Sequence, residues 1–147
     1  MLDDIDRQLV ELLVSDSRMS LKQLGQAVGL SSPSTSERLR RLEERGVVRR
    51  FTADIDPRAL GYPLQVMVRI RPLPGNQHLV QRLIEEIEEI CECDKVTGED
   101  CFIARIFVRS IEDLDRIIDP IVDKAETNTA FVKSQVVRRR PPPFIVD

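Results

Sequence analysis

The chain has 147 residues, 41% of them apolar and 32% charged, with a formal net charge of −3. That is enough apolar material for one large domain or two small ones. No apolar run is long enough to span a membrane, and the start Met1-Leu2-Asp3-Asp4 lacks the basic-then-apolar layout of a signal peptide, so a soluble cytoplasmic protein is expected.

The first fifty residues read as three short helices. Leu2, Ile5, Leu9, Leu12 and Leu13 recur at helical spacing, and Asp3, Asp4 and Asp6 sit where negative charge favours a helix N-terminus. A polar turn over Ser15 to Arg18 follows. Ser20-Leu21-Lys22-Gln23 has the form of a capping box, so a second helix starts after Ser20, buries Leu21, Leu24, Ala27 and Val28, and stops at Gly29. Ser31 caps a third helix, Pro33 fits its first turn, Thr35, Leu39 and Leu42 share its apolar stripe, and Gly46 ends it. Val47 to Asp54 is β-like. The turn signals Asp56-Pro57 and Gly61-Tyr62-Pro63 divide the chain into expected domains 1–62 and 63–147.

The second part alternates strands and helices. Leu64 to Arg71 is a strand, with Val66, Val68 and Ile70 on one face and Gln65, Met67, Arg69 and Arg71 on the other. Pro72 to Gly75 breaks it. Leu79, Leu83, Ile87 and Ile90 form a helical stripe, with Glu85, Glu86, Glu88 and Glu89 mostly solvated. Cys91 to Thr97 and Phe102 to Val108 are strands. Ile111, Leu114, Ile117, Ile118 and Ile121 make a second helix that Pro120 should kink or end, and Phe131 to Val137 is the last strand. The fold class is therefore α+β: a helix-turn-helix followed by a ferredoxin-like βαββαβ domain with both helices on one face of an antiparallel sheet.

Charge is distributed in a way the net value hides. Residues 1–60 hold 10 Lys+Arg against 10 Asp+Glu, and residues 61–147 hold 12 against 15. Within residues 31–52, six arginines face three glutamates, and one basic face suffices for an acidic chain to bind DNA. In the pattern of helix, capped helix, glycine turn and serine-capped arginine helix, Leu24 and Leu30 supply the contact between helices. The third helix presents Ser32 and Ser34 at its N-terminus and Arg38, Arg41 and Arg45 at i, i+3, i+7. Arginine binds phosphate or pairs with guanine through two parallel hydrogen bonds, and the helix N-terminus is the end that enters the major groove. These five residues are the expected DNA contacts, double-stranded DNA the expected partner.

The segments Leu2-Asp3-x-Ile5-Asp6-Arg7, Asp16-x-Arg18-Met19-Ser20, Leu24-Gly25-x-x-Val28-Gly29-Leu30-Ser31 and Glu37-Arg38-Leu39-Arg40-Arg41-Leu42-Glu43-x-x-Gly46-Val47-Val48 resemble the Lrp/AsnC family of transcription regulators. The similarity continues through Asp56-Pro57-x-x-Leu60-Gly61 and Val96-Thr97-Gly98 and covers essentially the whole chain. It implies a winged helix-turn-helix joined by a linker strand to a βαββαβ second domain that forms dimers, often assembled into octamers, and often binds an amino acid between dimers. The effector pocket implied lies around Thr97, Gly98, Glu99, Asp100 and Cys101, with Thr127 and Thr129 bordering it. Cys101 stands where many relatives carry aspartate. A glycine turn with exposed N–H groups can receive a carboxylate, although Gly98 also suits a simple hairpin turn.

No nucleophile–base pair, phosphate-binding glycine motif or cofactor signature is present, so no enzyme and no cofactor are expected. Cys91, Cys93 and Cys101 match no usual zinc spacing, although Cys91 and Cys93 should point to one strand face. His78, the only histidine, lies on a separate helix. Free thiols are expected, not a metal site. A ligand-independent regulator, an architectural DNA-binding protein and a thiol- or metal-responsive repressor are the alternative readings.

Overall fold

The structure is a computed structural model that describes residues 2–145; Met1, Val146 and Asp147, the outer ends of the two expected domains, lie outside the described residues. The chain forms two compact units. One runs from the N-terminus to Asp54 and takes in the C-terminal stretch from Arg138; the other is Ile55–Val137.

The first unit is built from α1 (Asp4–Ser15), α2 (Leu21–Val28) and α3 (Ser32–Glu44). Each helix starts on a side-chain cap: Asp3 accepts from the Asp6 amide, Ser20 from Gln23 and Ser31 from Ser34. The Ser20–Gln23 pair is reciprocal, a full capping box. Gly29 caps α2 with a left-handed backbone (φ 71°). One leucine from each helix, Leu9, Leu24 and Leu42, is fully buried, and Ile5, Leu13, Val28 and Leu39 pack around them. The α2–α3 turn is tight because Gly25 lets the chain close on it. The Leu30 amide donates to the Gly25 carbonyl at 2.8 Å, and a Cβ on Gly25 would lie 2.6 Å from the Leu30 carbonyl oxygen and 2.9 Å from Thr35 Oγ1.

The β-like segment expected over Val47 to Asp54 does not form a strand. The Val47 and Val48 amides donate to the Leu42 carbonyl, closing the end of α3. Beyond them no ladder pairs with the segment among the described residues, and an extended run without a partner strand is not a strand.

The second unit opens with a short 3-10 helix, Pro57–Leu60. It continues as β1 (Leu64–Pro72), α4 (Gln77–Glu86), β2 (Ile90–Lys95), β3 (Phe102–Val108), α5 (Ile111–Val122) and β4 (Ala125–Phe131). The sheet order is β2-β3-β1-β4 and every pairing is antiparallel, the ferredoxin-like arrangement expected. Val66, Val68 and Ile70 of β1 and Phe102, Ala104, Ile106 and Val108 of β3 form one buried core with Val80 and Ile84 of α4 and Leu114, Ile117, Ile118 and Ile121 of α5. The opposite face carries Gln65, Met67, Arg69 and Arg71 beside Ile103, Arg105 and Phe107, none of them fully buried.

Four boundaries differ from the sequence expectation. α4 ends at Glu86, and Ile87 is extended; Ile87 and Ile90 still pack on the core, so the apolar spacing outruns the helix. β2 begins at Ile90 and bulges, since Ile90 pairs with Ile106 but Glu92 with Arg105. The bulge breaks the alternation, so Cys91 is exposed while Cys93 packs on the core, and the two do not share a face. α5 runs through Pro120 and ends two residues later, where few amide bonds remain to be lost. The last strand is the polar Ala125–Phe131, not residues 131–137, because its partner β1 pairs Pro72 with Ala125 through Val66 with Phe131.

Gly25→Ala should destabilise the first unit by about 1–3 kcal/mol, the usual cost of forcing a methyl group against atoms that cannot retreat. A lowered midpoint in urea unfolding checks this; an unchanged midpoint would mean that the turn has slack.

Candidate functional site

The third helix is where the expected DNA contacts lie, and the structure sorts them. Ser32 and Ser34 are exposed in the first turn, with Ser34 receiving a hydrogen bond from the Ser31 hydroxyl at 2.9 Å. Arg38, Arg41 and Arg45 do share a face, and with Asp3, Asp6 and Leu42 they line a polar recess of about 300 Å³. At Arg38 and Arg45 that face is turned towards the start of α1, which corrects the expectation that Arg38 is an exposed reader, whereas Arg41 stays exposed at its edge. Arg38 Nη1 donates to Asp3 Oδ2 at 2.7 Å and to Asp6 Oδ1 at 2.8 Å, and its side chain is only 29% exposed. Asp6 is buried, and Arg45 Nη1 lies 3.7 Å from its other oxygen.

The outward face of α3 is a different set. Ser32, Ser36 and Arg40 follow i, i+4, i+8, with Glu37 and Arg41 beside them. Glu37 holds both arginines. It accepts from Arg40 Nη2 at 2.7 Å and Nε at 3.0 Å, and from Arg41 Nε at 3.0 Å; Arg40 also donates to Glu44. Hydrogen bonds from Arg40 and then Arg41 keep the Glu37 carboxyl below its ordinary range. Ser36, Glu37 and Arg40 were not among the expected contacts. Their signal was available, because the ridge one step round from the Thr35–Leu39–Leu42 stripe faces solvent.

In the second unit an open recess of about 270 Å³ is lined by Arg69, Arg71, Asp100, Glu126, Thr127 and Asn128. Of the expected effector residues it includes Asp100 and Thr127. Thr97, Gly98, Glu99, Cys101 and Thr129 do not line it. Gly98 carries a positive φ (113°) in the β2–β3 loop, which the Val96 amide closes by donating to the Cys101 carbonyl. Glu99 still reaches the recess electrostatically, 3.3 Å from Arg71 Nη1, and Glu126 is 3.8 Å from the same nitrogen. Thr129 sits in mid-strand opposite Val68, on the helix side of β4. Arg69, Glu126 and Asn128 enter through the β1–β4 register, which pairs Arg69 with Asn128 and Arg71 with Glu126.

The cysteines form no constellation. Burial, and then the charge of Asp94, pushes the Cys93 thiol up, away from the thiolate a metal needs. No group of three His, Cys, Asp or Glu able to hold a metal ion occurs among the described residues. Among them, no helix is long and apolar enough to cross a membrane.

Residues 2–43 match the AsnC-type helix-turn-helix domain and residues 65–142 match the Lrp/AsnC ligand binding domain. The chain belongs to the Lrp/AsnC family. The HTH-type transcriptional regulator LrpC of Bacillus subtilis is 30% identical over 92% of this chain and 94% of its own length. Its structure aligns with a TM-score of 0.87 over 95% and 99% of the two chains, at 29% identity. LrpA of Mycobacterium tuberculosis is 39% identical over 87% of this chain and 86% of its own. The feast or famine regulatory protein of M. tuberculosis, complexed with L-methionine, aligns at 34% identity with a TM-score of 0.87 over 97% and 99% of the chains. This Lrp/AsnC chain is thus a transcriptional regulator with a DNA-binding head and a ligand-binding domain, and not an enzyme.

Two outcomes test the Asp3–Asp6–Arg38 contact. Arg38→Ala should lower the unfolding free energy of this Lrp/AsnC protein by about 1–3 kcal/mol, the range for losing a hydrogen bond to a charged group; wild-type stability in urea would show that the contact contributes nothing. The second outcome concerns pH. Asp3 is held below the usual carboxylate range, first by the Asp6 amide and then by Arg38. A depressed folded value means that the stability is fully present above the unfolded pKa of about 3.9 and disappears as pH falls through the lower folded value. Asp3→Asn keeps a capping side chain but not the charge, so it should unfold more easily than wild type at neutral pH, and the difference should vanish as pH falls through the lowered folded value.

Proposed function

We propose that this regulator reads its DNA site with the outward face of α3, assembles as a dimer through the open face of its sheet, and senses an amino acid in the recess beside that face. The single observation that carries the sensing part is the composition of the recess. It places Arg69 and Arg71 opposite Asp100 and Glu126, with Thr127 and Asn128 as neutral hydrogen-bonding groups. Two guanidinium groups suit a carboxylate and two carboxylates suit an ammonium group, so the charges complement a zwitterion. The match to a ligand binding domain and the L-methionine complex of a relative support the same reading.

On the DNA side, Arg40 and Arg41 are exposed and Glu37 fixes their planes, which favours bidentate contact to guanine or phosphate. Ser32, Ser34 and Ser36 present hydroxyls at the groove-entering end. Arg38 and Arg45 act by fixing α3 against α1. The division of labour follows 1–62 for DNA and 63–147 for assembly and sensing, in the cytoplasm where the DNA is. Pairing of two heads doubles the contacts and sets half-site spacing. The open sheet face, with Met67, Ile103 and Phe107 unburied by this chain's own helices, favours a dimer, and octamers built from dimers follow the family pattern.

Arg40→Ala and Arg41→Ala should each weaken binding to a duplex selected from a random pool by about 1–3 kcal/mol, with relaxed preference wherever the replaced arginine reads a base. Retained affinity in both would place the reading face elsewhere. Light scattering at micromolar concentration should give a dimer or larger; a monomer would end the assembly reading. Calorimetry against the twenty common amino acids should find a ligand for wild type and lose it in Arg69→Gln. No heat from any of the twenty would leave a ligand-independent regulator, and undiminished binding by Arg69→Gln would move the site to the Thr97–Cys101 loop.

A further inference from the structure

The cations of α3 are already answered by carboxylates of the protein. Arg38 is bound to Asp3 and Asp6, Arg40 to Glu37 and Glu44, and Arg41 to Glu37, while Arg45 lies near Asp6. A phosphate approaching this helix has to compete with an acid for each of them. Affinity for duplex DNA, however, rests largely on phosphates neutralised by cations that release condensed counterions. The helix that positions the reading groups is therefore a weak source of the general attraction.

The C-terminal stretch has the complementary character. Between Glu126 and Asp147 the sequence holds Lys133, Arg138, Arg139 and Arg140 and no acidic residue. The three consecutive arginines are exposed, and among the described residues none has an ion pair or side-chain hydrogen bond. The segment from Arg138 groups with the helical, DNA-reading unit and not with the sheet that precedes it in the chain. Pro141-Pro142-Pro143 follows, a run with fixed φ and no amide donors that stays extended and cannot fold into a helix, and Phe144 beyond it is half-buried. A stiff segment tethered past the arginines holds them out as a short basic arm.

We propose that Arg138, Arg139 and Arg140 form an arm that binds the sugar-phosphate backbone of duplex DNA beside the bases read by α3. The arm supplies affinity without sequence information, because phosphate contacts position a protein on DNA and base contacts specify the site. This rests on the DNA-binding reading of the first unit. Arginine keeps its charge at every accessible pH, so the contribution depends on salt and not on protonation.

The test is the salt dependence of binding, measured by fluorescence anisotropy with two probes: a random-sequence duplex and a duplex that the wild type has selected from a random pool. The triple variant Arg138→Gln/Arg139→Gln/Arg140→Gln should bind both more weakly. Its slope of log affinity against log salt should be shallower by up to about 2.7 per head, at about 0.9 for each phosphate no longer neutralised. The ratio of affinities for the two probes should stay as in wild type, and the variant should select the same sequence. The triple lysine variant should restore the slope. An unchanged slope in the glutamine variant, with wild-type binding intact, overturns the arm and leaves the head standing. A changed probe ratio would make these arginines base readers, which also overturns it. If wild type binds neither probe, the DNA-binding reading fails and the arm with it.

Discussion

Three leucines, one from each helix, are all that the first unit buries completely among the aliphatic side chains of its described residues, and hydrophobic contact of that size has little direction. The angle at which α3 is presented therefore depends on a contact that does have direction, the hold of Asp3 and Asp6 on Arg38. Asp3 serves twice there, capping α1 through the Asp6 amide and receiving Arg38 from α3. The cap of α1 is thus also a partner of mid-α3, so a rotation of α3 would cost that cap its geometry as well as an ion pair. The Gly25 turn fixes the other side of α3, where Leu30 and Thr35 sit against backbone that has no side chain.

How much of this was legible in the sequence follows from the range of each interaction. Caps are local: Ser20 with Gln23 and Ser31 with Ser34 act within three residues, and both helix starts were readable. The apolar stripe of Thr35, Leu39 and Leu42 was readable for the same reason. The fate of Arg38 was not, because spacing tells which residues share a face but not what stands opposite, and Asp3 and Asp6 lie more than thirty residues away. The sheet divides similarly. β1 announces itself by alternation and β3 by its nearly continuous apolar run, whereas β4 is a polar edge strand identified only by its register with β1. The Arg69–Asn128 and Arg71–Glu126 pairs exist because of that register, so the recess could not be assembled from motifs. The β2 bulge is a further long-range choice, made where the strand meets β3.

A ligand in the recess would meet groups that already balance one another, since Arg71 is shared between Glu99 on the loop and Glu126 on β4. A zwitterion entering there exchanges protein ion pairs for ligand ion pairs. Its effect on assembly comes only from the difference between its affinities for the two states, and not from how tightly it binds.

The chain order of the two units has a consequence for how the molecule is made. The three helices close on one another within the first 48 residues, whereas the sheet pairs residues as far apart as Val66 and Phe131, and shorter separations fold faster. The sheet must wait, because Val66 of β1 pairs with Ile106 of β3 on one side and finds its other partner only when Phe131 has been synthesised. On a ribosome the head can take shape while its sensor is still a loose chain. The head's own last piece comes later still, since the segment from Arg138 leaves after β4. A nascent chain cut short inside the sheet would carry the three helices but not Arg138, Arg139 and Arg140, and the head is complete only in molecules whose ligand-binding half has been made.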